Sequence, residues 1–296
     1  MRTQTRKVLK WLLVPIVIFC SALVMDSCLQ FRMSTAEINT YFKDKQNKAT
    51  LKQYEIGKRT LNYLITENNN KPLVIFVHGS PGSLSAFIDF MADTVLLNKA
   101  QLISVDRPGF GASDFGYAVP SLDEQAKLLK PVLEVNKKNR PVILVGHSLG
   151  GPLIAKMAID YPELVDGLIF VAASVDPDLE PNETWFRAPL ATPFLKWILP
   201  RSFRASNDEI YKLKPELEQL VPEWSEIKVP AIVIQGTKDS FVPAANADFA
   251  KRMLIHSSVQ VQIIEGVDHF IPWNHPEIIR NAVLDLLKNE QLATNR

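Results

Sequence analysis

Cysteine is scarce. The chain of 296 residues has two, Cys20 and Cys28, both in its first tenth, so the remainder holds neither a disulfide framework nor a thiolate metal site. A domain of this size buries enough core to manage without disulfides, so their scarcity does not assign it to the cytoplasm. An excess of either charge is also missing: 33 Lys and Arg face 32 Asp and Glu, a net charge of +1. A nucleic-acid footprint needs a clustered basic excess, so no nucleic-acid partner is expected. No internal repeat occurs. With 47% hydrophobic and 22% charged residues, disordered, collagen-like and polytopic membrane classes are excluded.

The amino end is unlike the rest. Arg2, Arg6, Lys7 and Lys10 precede Trp11–Met25, fifteen residues without a charge. Basic then apolar is the order of a signal sequence or anchor whose positive end stays cytoplasmic. As a helix the run reaches ~22 Å, short of the ~30 Å hydrocarbon core. Extension through Cys28, Leu29 and Phe31 spans it but must accommodate Asp26. Three readings stand: a cleaved signal giving a secreted form, an uncleaved anchor, and a lipoprotein processed before Cys28. Met25 and Asp26 sit where lipoprotein signals usually carry Leu and a small residue, which weakens the third. Residues 1–30 are therefore read as a signal or anchor segment, and the protein as membrane-associated, facing outward in the cell envelope.

After a polar, Lys-rich stretch over residues 32–53, short apolar runs alternate with amphipathic ones. Arg59–Thr66 alternates like a strand, and the following 67–72 reads as a hairpin turn. Leu73–Val77, Leu102–Val105, Val142–Val145, Leu168–Ala172, Ala231–Ile234 and Val259–Ile264 are mostly continuous β-branched runs, as for strands covered on both faces. Helical patterns fill about 84–97, 122–138, 149–160, 244–256 and 276–289. Such alternation specifies an α/β fold, a doubly wound, mostly parallel sheet. Residues 175–225 break it with Trp185, Phe186, Phe194, Trp197 and Phe203. This stretch is read as a helical cap inserted into a core of residues 54–174 and 226–292, over the sheet edge where such folds bind ligands.

Gly146-His147-Ser148-Leu149-Gly150 directly follows the run PVILV and opens PLIAKMAID. Gly-x-Ser-x-Gly puts its serine on a strained strand-to-helix turn, beside a helix start that favours negative charge. Ser148 is the candidate nucleophile and needs a base oriented by an acid. His269 follows the last strand and is the candidate base. Of the other histidines, His147 sits inside the elbow and is expected to point elsewhere, His78 belongs to another loop, His256 ends a helix and His275 begins one. Asp239, after the run AIVIQ, is the candidate acid. Asp176 and Asp178, one strand earlier, and Asp268, adjacent to the base, are its rivals, and Asp176 stays open. The backbone N–H groups of Leu149 and Ser80, the latter in His78-Gly79-Ser80-Pro81-Gly82, are the candidate oxyanion donors. The loop from Asp106 to Ser113 reads as site-shaping.

The HGSPG loop, DRPGFGAS, the GHSLG elbow, GTKD followed by VP, and DHF near the end resemble the α/β-hydrolase superfamily over about residues 57–290. The HGxPG form is similar to the branch of epoxide hydrolases, haloalkane dehalogenases, proline iminopeptidases and carbon–carbon bond hydrolases. Ser148 stands where the first two carry aspartate, which implies serine-type ester, amide or carbon–carbon hydrolysis through an acyl-enzyme, carboxylesterase- or lipase-like. No cofactor and no metal is implied, and the partner is a small-molecule substrate with an apolar part. Cap aromatics would line an acyl pocket or form the cap's own small core. Two competing functions share the fold: a non-hydrolytic ligand-binding protein, and a cofactor-free haloperoxidase-like enzyme.

Overall fold

The computed structural model describes residue 26 and residues 29–67, 70–135 and 140–288. The leader expected over residues 1–30, with Cys20 and Cys28, lies outside the described residues except for Asp26, Leu29 and Gln30. Eight strands form one sheet: β1 (Ala49–Ile56), β2 (Arg59–Thr66), β3 (Leu73–Val77), β4 (Gln101–Val105), β5 (Val142–His147), β6 (Gly167–Val171), β7 (Ala231–Gly236) and β8 (Val259–Ile264). Their order is β1-β2-β4-β3-β5-β6-β7-β8, with β2 antiparallel to both its neighbours, β1 and β4, and every other adjacent pair parallel. The mostly parallel α/β sheet expected from the sequence is the one observed.

Successive residues of a strand point to opposite faces, so a strand buried on both sides divides its side chains between two cores. In β3, Leu73, Ile75 and Val77 enter one core with α3 (Leu122–Leu133) and α4 (Gly150–Asp160). Val74 and Phe76 enter the other with α1 (Thr35–Phe42) and α9 (Pro276–Leu287). Strand β3 neighbours β4 on one side and β5 on the other, which makes the β3/β5 boundary the switch point of strand order. Crevices at carboxyl strand ends beside such a point are where open α/β sheets hold ligands.

Two expectations need correction. The turn at 67–72 does not close a hairpin, because β2 pairs antiparallel with β1 and β4, not with β3. The partner β1 lay hidden in the stretch read as polar, upstream of the expected core boundary at 54. It is a sheet edge whose exposed residues are Thr50, Lys52, Gln53 and Glu55, so it lacks an apolar run. The turn joining it to β2 holds Gly57 at φ +61°. The helix expected over 84–97 is broken into 3-10 turns at Leu84–Phe87 and Phe90–Ala92 and a single turn, α2 (Thr94–Leu97). Asp93 sits in extended backbone at the break and its side chain accepts from the N–H groups of Val95 and Leu96, which starts the helix afresh.

Between β6 and β7 lie α5 (Thr184–Leu190) and α6 (Arg201–Leu220), flanked by 3-10 turns at Pro177–Leu179, Lys196–Ile198 and Val221–Glu226. Trp224, at the far end, is fully buried against Phe170 and Phe249 and ties the segment back to the core. After β7 come α7 (Ala245–Met253), β8, and α8 (Ile271–Asn274) leading into α9.

Candidate active site

The switch point brings together three loops. Strand β5 ends in His147 and α4 begins at Gly150, so Ser148 has to turn the chain in a single step. It does so at φ 54°, in the left-handed region that a residue with a Cβ rarely occupies. The turn is held by the Ser148 N–H donating to Val171 O (2.9 Å) and the Gly151 N–H donating to Ser148 O (2.9 Å). Glycine is required on both sides because backbone crowds in: a Cβ on Gly146 would meet Gly150 O at 2.4 Å, and one on Gly150 would meet Val77 O at 2.4 Å.

The loop after β3 lies directly against this elbow, since a Cβ on Gly79 would come within 2.8 Å of the Ser148 Cβ. Ser80 and Leu149 flank Ser148 on the wall of the same cavity. The loop after β7 supplies Asp239 and the loop after β8 supplies His269. Their side chains meet, with His269 Nδ1 2.7 Å from Asp239 Oδ2. A carboxylate only accepts, so Nδ1 carries the proton and Nε2 keeps its lone pair.

Asp239 is fixed by more than the histidine. Its Oδ1 accepts from the N–H groups of Phe241 (2.9 Å) and Val242 (2.7 Å), and its Oδ2 from Gln235 Nε2 (3.2 Å). Burial pushes its pKa up, but the bonds from His269 and from the two backbone N–H groups outweigh burial and hold the carboxyl below its usual value. The rivals are engaged otherwise. Asp176 accepts from the Asp178 N–H at the start of a 3-10 turn, Asp178 is exposed, and Asp268 accepts from the Phe270 N–H.

His147 departs from expectation. It does not point away from the site: its ring lies 4.7 Å from that of His269, and its Nε2–H donates to the His269 carbonyl (3.0 Å). Burial, with the His269 ring beside it, depresses its pKa to about 3, so it is neutral and acts as a brace for the base. His78 is likewise neutral. Burial, then the Arg107 charge, takes its pKa far down, and its ring donates to Gly79 O (2.6 Å) while accepting from the Arg107 N–H (3.1 Å).

One group stands out that sequence reasoning treated only as part of a shaping loop. The Arg107 guanidinium, fully buried, donates to the carbonyls of His78 (2.9 Å) and Gly79 (3.0 Å) and makes a bidentate pair with Glu209 of α6 (2.7 and 3.0 Å). Gln125 of α3 bonds both partners, at 3.0 Å each. Arg107 stood in the DRPGFGAS signature, whereas Glu209 lies in the middle of an amphipathic helix with no local signal.

A cavity of about 910 Å³ opens over Ser148 and His269. Leu149, Leu179, Phe203, Ile210, Leu213 and Phe241 give it mainly apolar walls, suited to a small organic ligand. Of the cap aromatics expected in a pocket or a small core, Trp185, Phe194 and Trp197 are in neither: they face solvent.

Residues 74–282 match the alpha/beta hydrolase family. The chain belongs to that family, and it is an α/β-fold hydrolase. A 2-hydroxy-6-oxononadienedioate/2-hydroxy-6-oxononatrienedioate hydrolase of Paraburkholderia phymatum is 27% identical to this hydrolase over 255 residues, 73% of this chain and 87% of its own. A human monoacylglycerol lipase is 25% identical over 269 residues, covering 76% of this chain and 78% of its own. The crystal structure of a bacterial membrane phospholipase A superposes with a TM-score of 0.63 over 99% of both chains at 17% identity, a likeness of fold.

Proposed function

We propose that this hydrolase cleaves a carboxylic ester with an apolar acyl part, by way of an acyl-enzyme on Ser148. The observation that carries the reading is the His269–Asp239 pair. A proton fixed on Nδ1 by a buried carboxylate leaves Nε2 basic at the cavity that Ser148 lines. In the first half-reaction His269 Nε2 takes the Ser148 proton as Oγ attacks the carbonyl carbon, and the N–H groups of Ser80 and Leu149 bind the oxyanion. The imidazolium, stabilised by Asp239, gives its proton to the leaving alkoxide. Water then attacks the acyl-enzyme, losing its proton to the same nitrogen, and the acid departs as Ser148 is reprotonated.

The mainly apolar walls favour an ester of a fatty or aromatic acid over a small polar substrate. A second reading, carbon–carbon hydrolysis of an oxo acid, draws on the name of the Paraburkholderia relative and uses the same residues. We also infer that the basic then apolar order of residues 1–25 tethers the domain to a membrane on its outward side, and that the helices between β6 and β7 act as the cap of the site.

A fluorophosphonate should label wild-type protein at Ser148 stoichiometrically. Ser148→Ala should abolish labelling and ester turnover with the fold intact, and His269→Ala should suppress labelling, since an unactivated serine reacts slowly. Folded protein that takes up no probe and turns over neither esters nor oxo acids would refute the reading in favour of a binding module. Protease added outside intact cells should remove the domain, and a cytosolic enzyme with Met1 intact would refute the tether.

A further inference from the structure

Among the described residues, several strongly exposed apolar side chains gather on one short stretch of the cap. Trp185 is 81% exposed, Phe194 91%, Trp197 55% and Ile198 61%, whereas a soluble surface scatters such residues singly. The same stretch is one-signed. From Thr184 to Asn207 the chain carries Arg187, Lys196, Arg201 and Arg204 and no acid. All four cations sit against rings, Arg204 over Trp197 at 4.1 Å, Lys196 over Trp197 at 5.6 Å, Arg187 over Phe186 at 5.0 Å and Arg201 over Phe115, outside the stretch, at 4.8 Å. Two also hold carboxylates outside the stretch, Glu183 for Arg187 and Asp26 for Arg201.

Aromatic rings mixed with Lys and Arg are what a lipid interface takes. The rings sit at headgroup depth and the cations meet anionic headgroups. A second observation fixes the orientation. The uncharged run Trp11–Met25 leads into Asp26, and Asp26 is clamped to the start of α6. Its carboxylate accepts from the Arg201 N–H (2.6 Å) and pairs with the Arg201 guanidinium (2.8 Å). Ser202 Oγ donates to Leu29 O, and Phe31 packs edge-on against Phe203 at 5.4 Å. The apolar run therefore joins the domain beside the exposed rings. Phe31 and Phe203 line the cavity over Ser148, so the path from that junction leads to the site.

We propose that residues 184–204 of the cap dock on the surface of a lipid bilayer containing anionic headgroups, next to the point where the leader joins, and that the cavity draws its acyl ester from that surface. The delivery half rests on the ester-hydrolase reading above, while the docking half does not.

The test uses the full chain in phosphatidylcholine vesicles with and without phosphatidylglycerol. The tryptophan emission lost in the double variant Trp185→Phe, Trp197→Phe is the part due to the cap. Brominated phosphatidylglycerol should quench that part in wild-type protein. Phe194→Glu should slow turnover of a vesicle-embedded monoacyl ester about tenfold, the equivalent of unburying one large apolar side chain. It should leave the rate on a short water-soluble ester unchanged, since Phe194 does not line the cavity. Cap tryptophans that stay unquenched would overturn the proposal, as would an equal loss on both esters. A dimer in detergent that Phe194→Glu dissociates would make a second copy the occupant and overturn it too. Quenching as expected, with no turnover of either ester by wild-type protein, would support the docking and refute the ester-hydrolase reading alone.

Discussion

Replacing Glu209 by Gln tests whether the proposed cap and the loop proposed to bind the oxyanion are one mechanical unit. The Arg107 guanidinium has no access to water and spends its donors on Glu209, Gln125 and the carbonyls of His78 and Gly79. The substituted amide would keep one acceptor and offer its N–H₂ to a cation, which leaves the guanidinium buried and unneutralised. Removing one partner of a buried pair costs about 3–5 kcal/mol, and the retained acceptor puts this change near the lower figure. In a domain of this size 1 kcal/mol moves Tm by roughly 2–4 °C, so Glu209→Gln should melt about 6–12 °C lower.

The functional consequence follows from which groups Arg107 holds. If the guanidinium shifts, the carbonyls on either side of the Gly79 peptide shift with it, and the Ser80 N–H loses its aim. The rate constant kcat should then fall by one to two orders of magnitude with KM less affected, since an oxyanion donor acts in the transition state. Scanning calorimetry and steady-state kinetics on a chromogenic ester measure both. The coupling is checked by the double variant Arg107→Met, Glu209→Met. It should be less destabilised than the two single changes added together, because no charge is left stranded, but still below wild type, because two loop carbonyls lose their donor. A Tm within 2 °C of wild type for Glu209→Gln, or strict additivity in the cycle, would refute the reasoning.

Three further outcomes follow from the site. Asp239→Asn should lower kcat on the order of 10⁴-fold by disturbing the histidine tautomer, while Asp176→Asn, whose carboxylate only caps a turn, should stay near wild type in the same assay. His147 has its pKa depressed to about 3 in the folded chain against an ordinary value near 6.5, so its contribution is intact above ~6.5 and is lost at ~1.4 kcal/mol per pH unit as the pH falls towards 3. Urea titrations at several pH values should show an acid-side slope in wild type that is shallower by ~1.4 kcal/mol per pH unit in His147→Gln, the slope that remains including the share of buried His78. Gly150→Ala forces a Cβ to 2.4 Å from Val77 O and 2.9 Å from His78 O, backbone that cannot step aside, so the variant should lose at least 1–3 kcal/mol by thermal unfolding and with it the register of elbow and loop.

The parts of this molecule that were legible in the sequence are those whose geometry is enforced locally. A left-handed serine between two glycines, a continuous apolar strand before it and a helix after it leave few alternatives, and the loops holding His269 and Asp239 announce themselves by following strands. Strand β1 was not legible, because an edge exposed on one face needs only weak alternation. Glu209 was not legible either. It is an ordinary acid in an amphipathic helix until the fold brings Arg107, more than a hundred residues away in sequence, within 2.7 Å. His147 was misjudged for a related reason: its neighbour in the motif predicts only that it is buried, and its partner is supplied by a loop 122 residues later.

That division of legibility matches a division of labour. The groups proposed for bond-making stand on loops at the ends of β3, β5, β7 and β8, where a rigid parallel sheet fixes their separations. The apolar groups on the cavity wall, Leu179, Phe203, Ile210 and Leu213, come from the segment between β6 and β7, which no strand constrains. Apolar contacts tolerate exchange among similar volumes, so substitutions there should change which acyl group is accepted while leaving the elbow untouched. Glu209 belongs to the same helix but not to that rule. It binds its partner through two directed charge-assisted bonds in a dry interior, so it fixes where the adaptable part sits relative to the rigid one. The proposed cap, free to vary in its lining yet pinned at one ion pair next to the loop proposed to bind the oxyanion, would let the substrate change without moving the atoms that react.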